Sequence, residues 1–124
     1  MTREMGLTLD ALADDTRRGT VEALGKGPLS AGELSNRLNV TPAALTRHLR
    51  VLRRADLVSV SLDPADSRRH VYSIQPDRLM QLSEWAENVS RFWTTQLSSY
   101  ANHANESSQP TNLHQAMRGS DAGR

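Results

Sequence analysis

The sequence predicts a mainly helical α+β fold, with about five helices and one small two-stranded β-hairpin. Apolar residues recur at spacings of three and four along most of the 124 residues, which is the helical period. Around residues 58–74 the period changes to two, which indicates strands. Residues that cap helices or form turns bound each segment. With 37% hydrophobic residues the chain can form a modest core, and it gains stability if two copies share one.

An acidic helix start separates the first two predicted helices. Leu9 and Leu12 lie at helical spacing in the first helix, and the run Asp14-Asp15-Thr16 follows them. Acidic residues are favourable in the first turn of a helix because they face the positive end of its dipole. The second helix continues through Leu24 and ends at Gly25-Lys26-Gly27-Pro28, which is a strong break.

The next two helices are short and are joined by a tight turn. Ser30 and Glu33 form the S-x-x-E pattern of a capping box, which predicts the start of the third helix. Asn39 ends that helix, Thr41 is a favourable N-cap, and Pro42 suits the first position of the next helix. Two helices in this arrangement form a helix-turn-helix, whose second helix enters the major groove of DNA.

This second helix, the predicted recognition helix, has an apolar face and a basic face. Leu45, Leu49 and Leu52 repeat at i, i+4 and i+7 and mark the buried side. Small residues near the helix N-terminus allow close approach to the groove, so that Thr46 and Arg47 are predicted to reach base edges. The arginines that follow are better placed for phosphates. The predicted DNA-binding residues of this region are Thr41, Ala43, Thr46, Arg47, Arg50 and Arg54.

Positive charge is concentrated around the recognition helix. Residues 31–75 carry seven arginines against four acidic residues, a net charge of +3, within a chain whose net charge is +1. Arginine offers a planar set of donors that suits phosphates and guanine edges. A solvated helix face is the alternative interpretation, but the helix-turn-helix pattern favours DNA. His48 lies at the flank of the apolar face, and we expect it to be packed and hydrogen-bonded rather than a ligand or a base-reading residue.

A β-hairpin is predicted directly after the recognition helix, with strands over residues 58–61 and 71–74. The turn-rich connection between them carries Arg68 and Arg69 near its end. A hairpin in this position is a wing, and an arginine at its tip can enter the neighbouring minor groove of DNA. An ion pair between Arg68 and Asp66 could instead hold the turn together. We therefore expect one of the two arginines to be structural and the other to contact DNA.

A last helix opens at Pro76 and is predicted to continue to about Ala101. It carries four of the five aromatic residues in the chain. So wide an apolar face is expected both to pack on its own domain and to form an interface between two chains. The predicted domain covers residues 1–104, and residues 105–124 are predicted to form a disordered tail. The apolar stripe comprises Leu79, Leu82, Ala86, Val89, Trp93 and Tyr100, with Trp85, Phe92 and Leu97 beside it.

Three absences exclude whole classes of function. The chain has no cysteine, which excludes disulfides, thiolate metal sites and cysteine nucleophiles. It has no glycine-rich phosphate loop, nucleophile elbow or suggestive pair of carboxylates, so we do not expect an enzyme. The apolar stretch from Met5 to Leu12 is too short and too polar for a signal peptide or a membrane span, which predicts a soluble cytoplasmic protein.

Four segments, in the expected order over roughly residues 7–101, resemble the ArsR/SmtB family of winged helix-turn-helix repressors. They are Ala11-Leu-Ala-Asp-Asp-Thr-Arg-Arg18, Gly27-Pro-Leu-Ser-Ala-Gly-Glu-Leu34, Leu45-Thr-Arg-His-Leu-Arg-Val-Leu52 and Arg69-His-Val-Tyr72. The resemblance implies a homodimer that forms through the first and last helices and binds a palindromic operator in double-stranded DNA. The residues that we assign to the dimer interface are Leu9, Leu12, Leu82, Ala86, Val89, Trp93 and Leu97.

The departures from the family bear on regulation. Asp15 stands where the family usually has proline, and it still suits the first turn of a helix. Metal-sensing members use cysteines on the helix before the recognition helix, and residues 30–38 contain no soft ligand. Other members bind zinc on the last helix, in a spacing that the candidates of this chain do not reproduce. Those candidates are Asp77, Glu84, Glu87 and His103.

The sequence therefore predicts a member of a cysteine-free branch that senses no metal, with no metal ion and no cofactor, and with an inducer that the sequence does not identify. Two alternatives remain open. One is a metal-responsive repressor with histidine, aspartate and glutamate ligands. The other is a winged-helix module that binds a protein and reads no DNA, although such a face would more often expose leucine, methionine or aromatic residues than arginines.

Overall fold

The structure, a computed structural model, describes residues 2–106, with side chains as far as His103. The described residues form five helices and three short strands, which confirms the predicted α+β class. In chain order the elements are α1 (Arg3–Ala11), α2 (Asp15–Leu24), β1 (Leu29–Ser30), α3 (Ala31–Leu38), α4 (Pro42–Arg54), β2 (Val58–Leu62), β3 (His70–Ile74) and α5 (Pro76–Glu106).

The helix boundaries form through the local contacts that the sequence predicts. The carboxylate of Asp14 accepts the backbone N–H of Arg17 at 3.0 Å and caps α2. Ser30 and Glu33 form a reciprocal capping box at the start of α3. Asn39 ends α3 in the left-handed conformation, with φ 55°, which asparagine tolerates better than most residues with a side chain.

The three strands form one antiparallel sheet with β3 in the centre, in the order β1-β3-β2. The predicted hairpin of β2 and β3 is confirmed, and in its register Val60 pairs with Tyr72. Strand β1 is not predicted from the sequence, and its Leu29 pairs with the same tyrosine from the other side. A strand of two residues has no periodicity to detect, so only its pairing with β3 defines it.

Leucines from α2, α3 and α4 form the core together with the segment before β2. Each of these leucines is at most 3% exposed, and burying a leucine contributes about 1.5–3 kcal/mol. Three of them come from α4, which fixes the rotation of that helix about its own axis. Leu79, near the start of α5, also packs against this core. The core leucines are Leu24, Leu34, Leu45, Leu49, Leu52 and Leu57.

The described residues divide into two compact units, the first ending at Leu82 and the second beginning at Ser83. The first contains α1 to α4, the sheet and the start of α5, and the described part of the second is the remainder of α5. Helix α5 continues to Glu106, beyond its predicted end at Ala101. Residues 107–124, which include most of the predicted tail, lie outside the described residues. None of the helices that the structure describes combines the length and apolarity needed to cross a membrane.

Candidate nucleic-acid interface

Helix α4 presents one face to the core and the other to solvent. Leu45, Leu49 and Leu52 are 1%, 3% and 0% exposed, so the predicted buried face is confirmed. The opposite face carries small residues near the helix N-terminus and arginines towards its C-terminus. All six residues that the sequence analysis assigned to this region are exposed: Thr41, Ala43, Thr46, Arg47, Arg50 and Arg54.

The two threonines of this face are constrained by local hydrogen bonds. The hydroxyl oxygen of Thr41 accepts the backbone N–H of Ala44 at 3.2 Å, so Thr41 caps α4 and retains its own proton as a donor. The hydroxyl of Thr46 donates to the carbonyl oxygen of Pro42 at 2.9 Å. Its proton is therefore used within the helix, which leaves the methyl group and both lone pairs of the hydroxyl oxygen for other contacts.

The arginines of α4 carry uncompensated positive charge. Among residues 2–103, no hydrogen bond or ion pair engages the side chains of Arg47, Arg50, Arg53 or Arg54. Arg53 and Arg54 lie in the last turn, where cations interact favourably with the helix dipole. Exposed guanidinium groups without carboxylate partners are available to phosphates and to base edges, so the chemistry of this face suits a polyanion.

His48 ties α4 to the start of α2. Its Nδ1 lies 3.3 Å from Nη1 of Arg17 and 3.7 Å from Oδ2 of Asp14. Arg17 also donates from Nε to the carbonyl oxygen of Ala11 at 2.6 Å, which engages the end of α1 as well. The backbone N–H of Arg17 lowers the pKa of Asp14 and keeps its carboxylate charged. The packed, hydrogen-bonded histidine that the sequence predicted is confirmed.

Arg69 anchors the wing to the helix-turn-helix. Its guanidinium pairs with the carboxylate of Glu33 at the start of α3, and its Nη1 lies 3.7 Å from Oδ2 of Asp63 at the other end of the hairpin loop. Glu33 also accepts the backbone N–H of Ser30 at 2.9 Å, and this bond is the main cause of its lowered pKa. The Glu33 carboxylate therefore contacts both the N-cap of α3 and the arginine at the base of the wing.

Arg68, the neighbouring wing arginine, faces solvent. Its side chain is 92% exposed, and its only ion pair among the described residues is a weak one, with Nε 3.7 Å from Oδ1 of Asp66. The carboxylate of Asp66 also accepts the backbone N–H of Arg68 at 3.1 Å, which shapes the tip of the loop. The two arginines are thus in different environments, with Arg69 held by carboxylates and Arg68 extended.

Comparison with known proteins gives the family of this chain. Residues 12–61 match a protein family described as a helix-turn-helix domain. The solved structure of an ArsR-like transcriptional regulator from Rhodococcus sp. RHA1 has a TM-score of 0.67 and 27% identity, covering 82% of this chain and 92% of that one. The HTH-type transcriptional regulator Rv2034 of Mycobacterium tuberculosis is 46% identical over 91 residues, which cover 73% of this chain and 79% of that protein. The chain belongs to the ArsR family of winged helix-turn-helix transcriptional regulators.

A second relative agrees with this assignment. The transcriptional repressor SdpR of Bacillus subtilis is 26% identical to this ArsR-family chain over 84 residues, which cover 68% of this chain and 90% of that protein. Relatives and fold alike are those of transcription regulators, so the protein is not an enzyme.

Helix α5 of this ArsR-family regulator exposes a large aromatic surface. Trp85, Phe92, Trp93 and Tyr100 are 37%, 56%, 54% and 60% exposed. The rings of Phe92 and Trp93 lie edge to face with centroids 5.5 Å apart. Of the residues assigned to the dimer interface on this helix, Ala86 and Trp93 are exposed, and Leu82, Val89 and Leu97 are half-buried.

The two predicted interface residues of α1, Leu9 and Leu12, are less exposed to a partner chain than Trp93 is. Leu12 is the C-cap of α1 and packs against the core, and Leu9 is half-buried. Leu7, which the sequence analysis did not single out, is the exposed leucine of α1 at 44%. The buried residues of α1 are Met5, Thr8 and Ala11. Leu7 and Leu9 flank this buried face at equal angles on its two sides, so helical periodicity alone does not distinguish the exposed leucine from the half-buried one.

The candidate metal ligands of the sequence are three acidic residues and one histidine of α5. Across the part of the chain that the structure describes, no group of three or more histidine, cysteine, aspartate or glutamate side chains is arranged to hold a metal ion.

Proposed function

We propose that this ArsR-family regulator is a transcriptional repressor that binds a palindromic operator as a homodimer. The observation that supports the proposal is the exposed face of α4, where Arg47, Arg50 and Arg54 have no carboxylate partner among the described side chains and the opposite face is buried. A protein that binds chromosomal DNA in this way acts in the cytoplasm of a bacterial cell.

The residues of α4 divide into two roles in this proposal. Thr46 and Arg47 contact base edges in the major groove, because they lie near the helix N-terminus, where Ala43 allows close approach. Thr46 presents its methyl group, since its hydroxyl proton is bound to the carbonyl oxygen of Pro42. Arg50 and Arg54 contact phosphates, and Thr41 donates its hydroxyl proton to a phosphate oxygen at the start of the helix.

The wing supplies a second contact. Arg68 enters the minor groove beside the recognition helix, where a narrow A·T-rich tract concentrates negative potential. Arg69 supports it by holding the hairpin against α3 through Glu33. Arg68→Ala should therefore weaken binding most on operators with A·T-rich flanks. Arg69→Ala should weaken binding modestly on every flank, because it removes the contact that holds the hairpin loop near the start of α3.

The proposed homodimer forms through the aromatic surface of α5. Its central residues are Val89 and Trp93, with Leu82, Ala86 and Leu97 along the same stripe, and α1 contributes through Leu9 and Leu12. A two-fold dimer would present two recognition helices about one helical turn of DNA apart, which matches a palindromic site.

Selection of binding sites from a random duplex library with the full-length chain tests the proposal. A palindromic consensus is expected, and its affinity is then measured by fluorescence anisotropy beside a scrambled duplex over about 50–200 mM salt. Arg47→Ala should cost about 1–3 kcal/mol on the consensus and relax sequence preference. Arg54→Ala should weaken both duplexes alike and make the salt dependence shallower.

Lys26→Ala is the matched control, because Lys26 is an exposed cation in the turn after α2. It should leave both affinities unchanged. Equal losses of specificity in Arg47→Ala and Arg54→Ala would contradict the division of roles. A library that yields no enriched sequence would contradict sequence-specific binding itself and favour a module that binds a protein.

A further inference from the structure

An open cleft of about 760 Å³ lies where α4, the start of β2 and the first turn of α5 meet. Arg50, Arg53 and Arg54 line it from α4, and Arg78 lines it from α5. All of its lining residues belong to the unit of residues 1–82. Its volume falls within the range of about 300–1,000 Å³ that is typical of small-molecule sites.

The cleft has an excess of positive charge. Its lining contains four arginines against the two carboxylates of Asp56 and Asp77. Asp56 is paired with Arg78, with an N–O distance of 3.5 Å, which neutralises one arginine. The three arginines from α4 have no such partner among the side chains that the structure describes. A ligand that matches this cleft therefore carries at least two negative charges.

The cleft also has an apolar wall and a recessed arginine, and contact with a DNA backbone requires neither of them. Val58 and Val60 line it from β2, so part of the surface is apolar and suits the carbon skeleton of a ligand. The side chain of Arg78 is only 26% exposed, so it lies at the wall of the cleft rather than on the protruding surface of α4. A small molecule can enter a concave site and reach Arg78, and a convex duplex is poorly shaped to do so.

We propose that this cleft binds a small organic polyanion, with two or more phosphate or carboxylate groups, that releases the regulator from DNA. The ligand would bind to the guanidinium groups of Arg53 and Arg78. It would also contact Arg50 and Arg54. Release rests on the proposed function, in which Arg50 and Arg54 bind operator phosphates. Binding of the anion to the free protein does not depend on that function.

The experiment uses the full-length chain and two probes, inorganic pyrophosphate and citrate, at constant ionic strength. Calorimetric titration of the free protein should give saturable binding below about 1 mM for at least one probe, and the two arms separate phosphate from carboxylate chemistry. Saturating probe should weaken binding to the selected operator at least tenfold, relative to potassium chloride at the same ionic strength. Arg78→Gln should weaken probe binding at least tenfold and leave operator affinity without probe within twofold of the wild type.

Lys26→Gln removes the same charge outside the cleft and should leave probe binding unchanged. Because Arg78→Gln also removes the ion pair with Asp56, Gln75→Glu is a second variant. It adds a carboxylate to the cleft lining, keeps that ion pair, and should also weaken probe binding at least tenfold.

Three results would overturn the proposal: no binding of either probe, equal losses in Lys26→Gln and Arg78→Gln, and probe binding without any effect on operator affinity. The operator titration without probe tests the proposed repressor function independently of the anion site. A chain that binds the probe but no DNA would contradict the proposed repressor and the release step, and would leave the anion site established.

Discussion

Replacing Trp93 by alanine tests the proposed dimer most directly. A tryptophan buries up to about 250 Å², so the 54% of Trp93 that is exposed corresponds to about 130 Å². At about 25 cal/mol per Å², covering that area contributes about 3 kcal/mol per subunit. A two-fold interface contains Trp93 of both subunits. Trp93→Ala therefore removes up to about 6 kcal/mol of the free energy of dimerisation and raises the dimer dissociation constant up to about 10⁴-fold.

Sedimentation over a range of protein concentrations measures this dissociation constant. Because the Trp93 ring is largely exposed in the protomer, the helical circular dichroism should be retained. Leu62→Ala is the matched control, since Leu62 is 52% exposed but lies on the hairpin, outside the proposed interface. The reasoning is refuted if Trp93→Ala changes the dissociation constant less than tenfold, or no more than Leu62→Ala does.

Four further outcomes are expected. Thr46→Val should keep operator affinity within about twofold while Thr46→Ala loses about 1 kcal/mol, because the methyl group makes the contact; equal losses in anisotropy titrations would point to the hydroxyl oxygen. Asn39→Gly should be neutral or stabilising, and Asn39→Val should destabilise by about 1–2 kcal/mol at φ 55°, with equal urea midpoints contradicting this. The lowered pKa values of Asp14 and Glu33 mean that their stabilisation is complete above the ordinary carboxyl values of 3.8 and 4.5 and is lost as pH falls through the lower folded pKa values. Glu33→Gln should therefore make the free energy of unfolding depend less steeply on pH in the acid range. An unchanged slope would refute this. Zinc, nickel and cobalt at micromolar free concentration should not release operator DNA, and saturable release would instead implicate Glu87 and His103.

Much of the fold and of the proposed DNA-binding face could be predicted from the sequence because the contacts involved are local. The capping box of Ser30 and Glu33 and the N-cap at Thr41 join residues three apart, and both form as predicted. The leucine repeat of α4 likewise depends only on helical periodicity, and its burial determines which arginines face solvent. The arginine face follows from the same repeat, since residues opposite a buried stripe must be exposed.

Only the tertiary structure determines the contacts between residues that are far apart in the chain. Strand β1 exists because Leu29 pairs with Tyr72, and no propensity of a two-residue segment predicts such a partner. Two adjacent wing arginines look equivalent in the sequence, but Glu33, 36 residues away from Arg69, distinguishes them. The cleft needs Arg53 and Arg78 on one surface, which the packing of α4, β2 and α5 produces. Long-range pairing depends on how the whole core closes, so it is not encoded in any single segment.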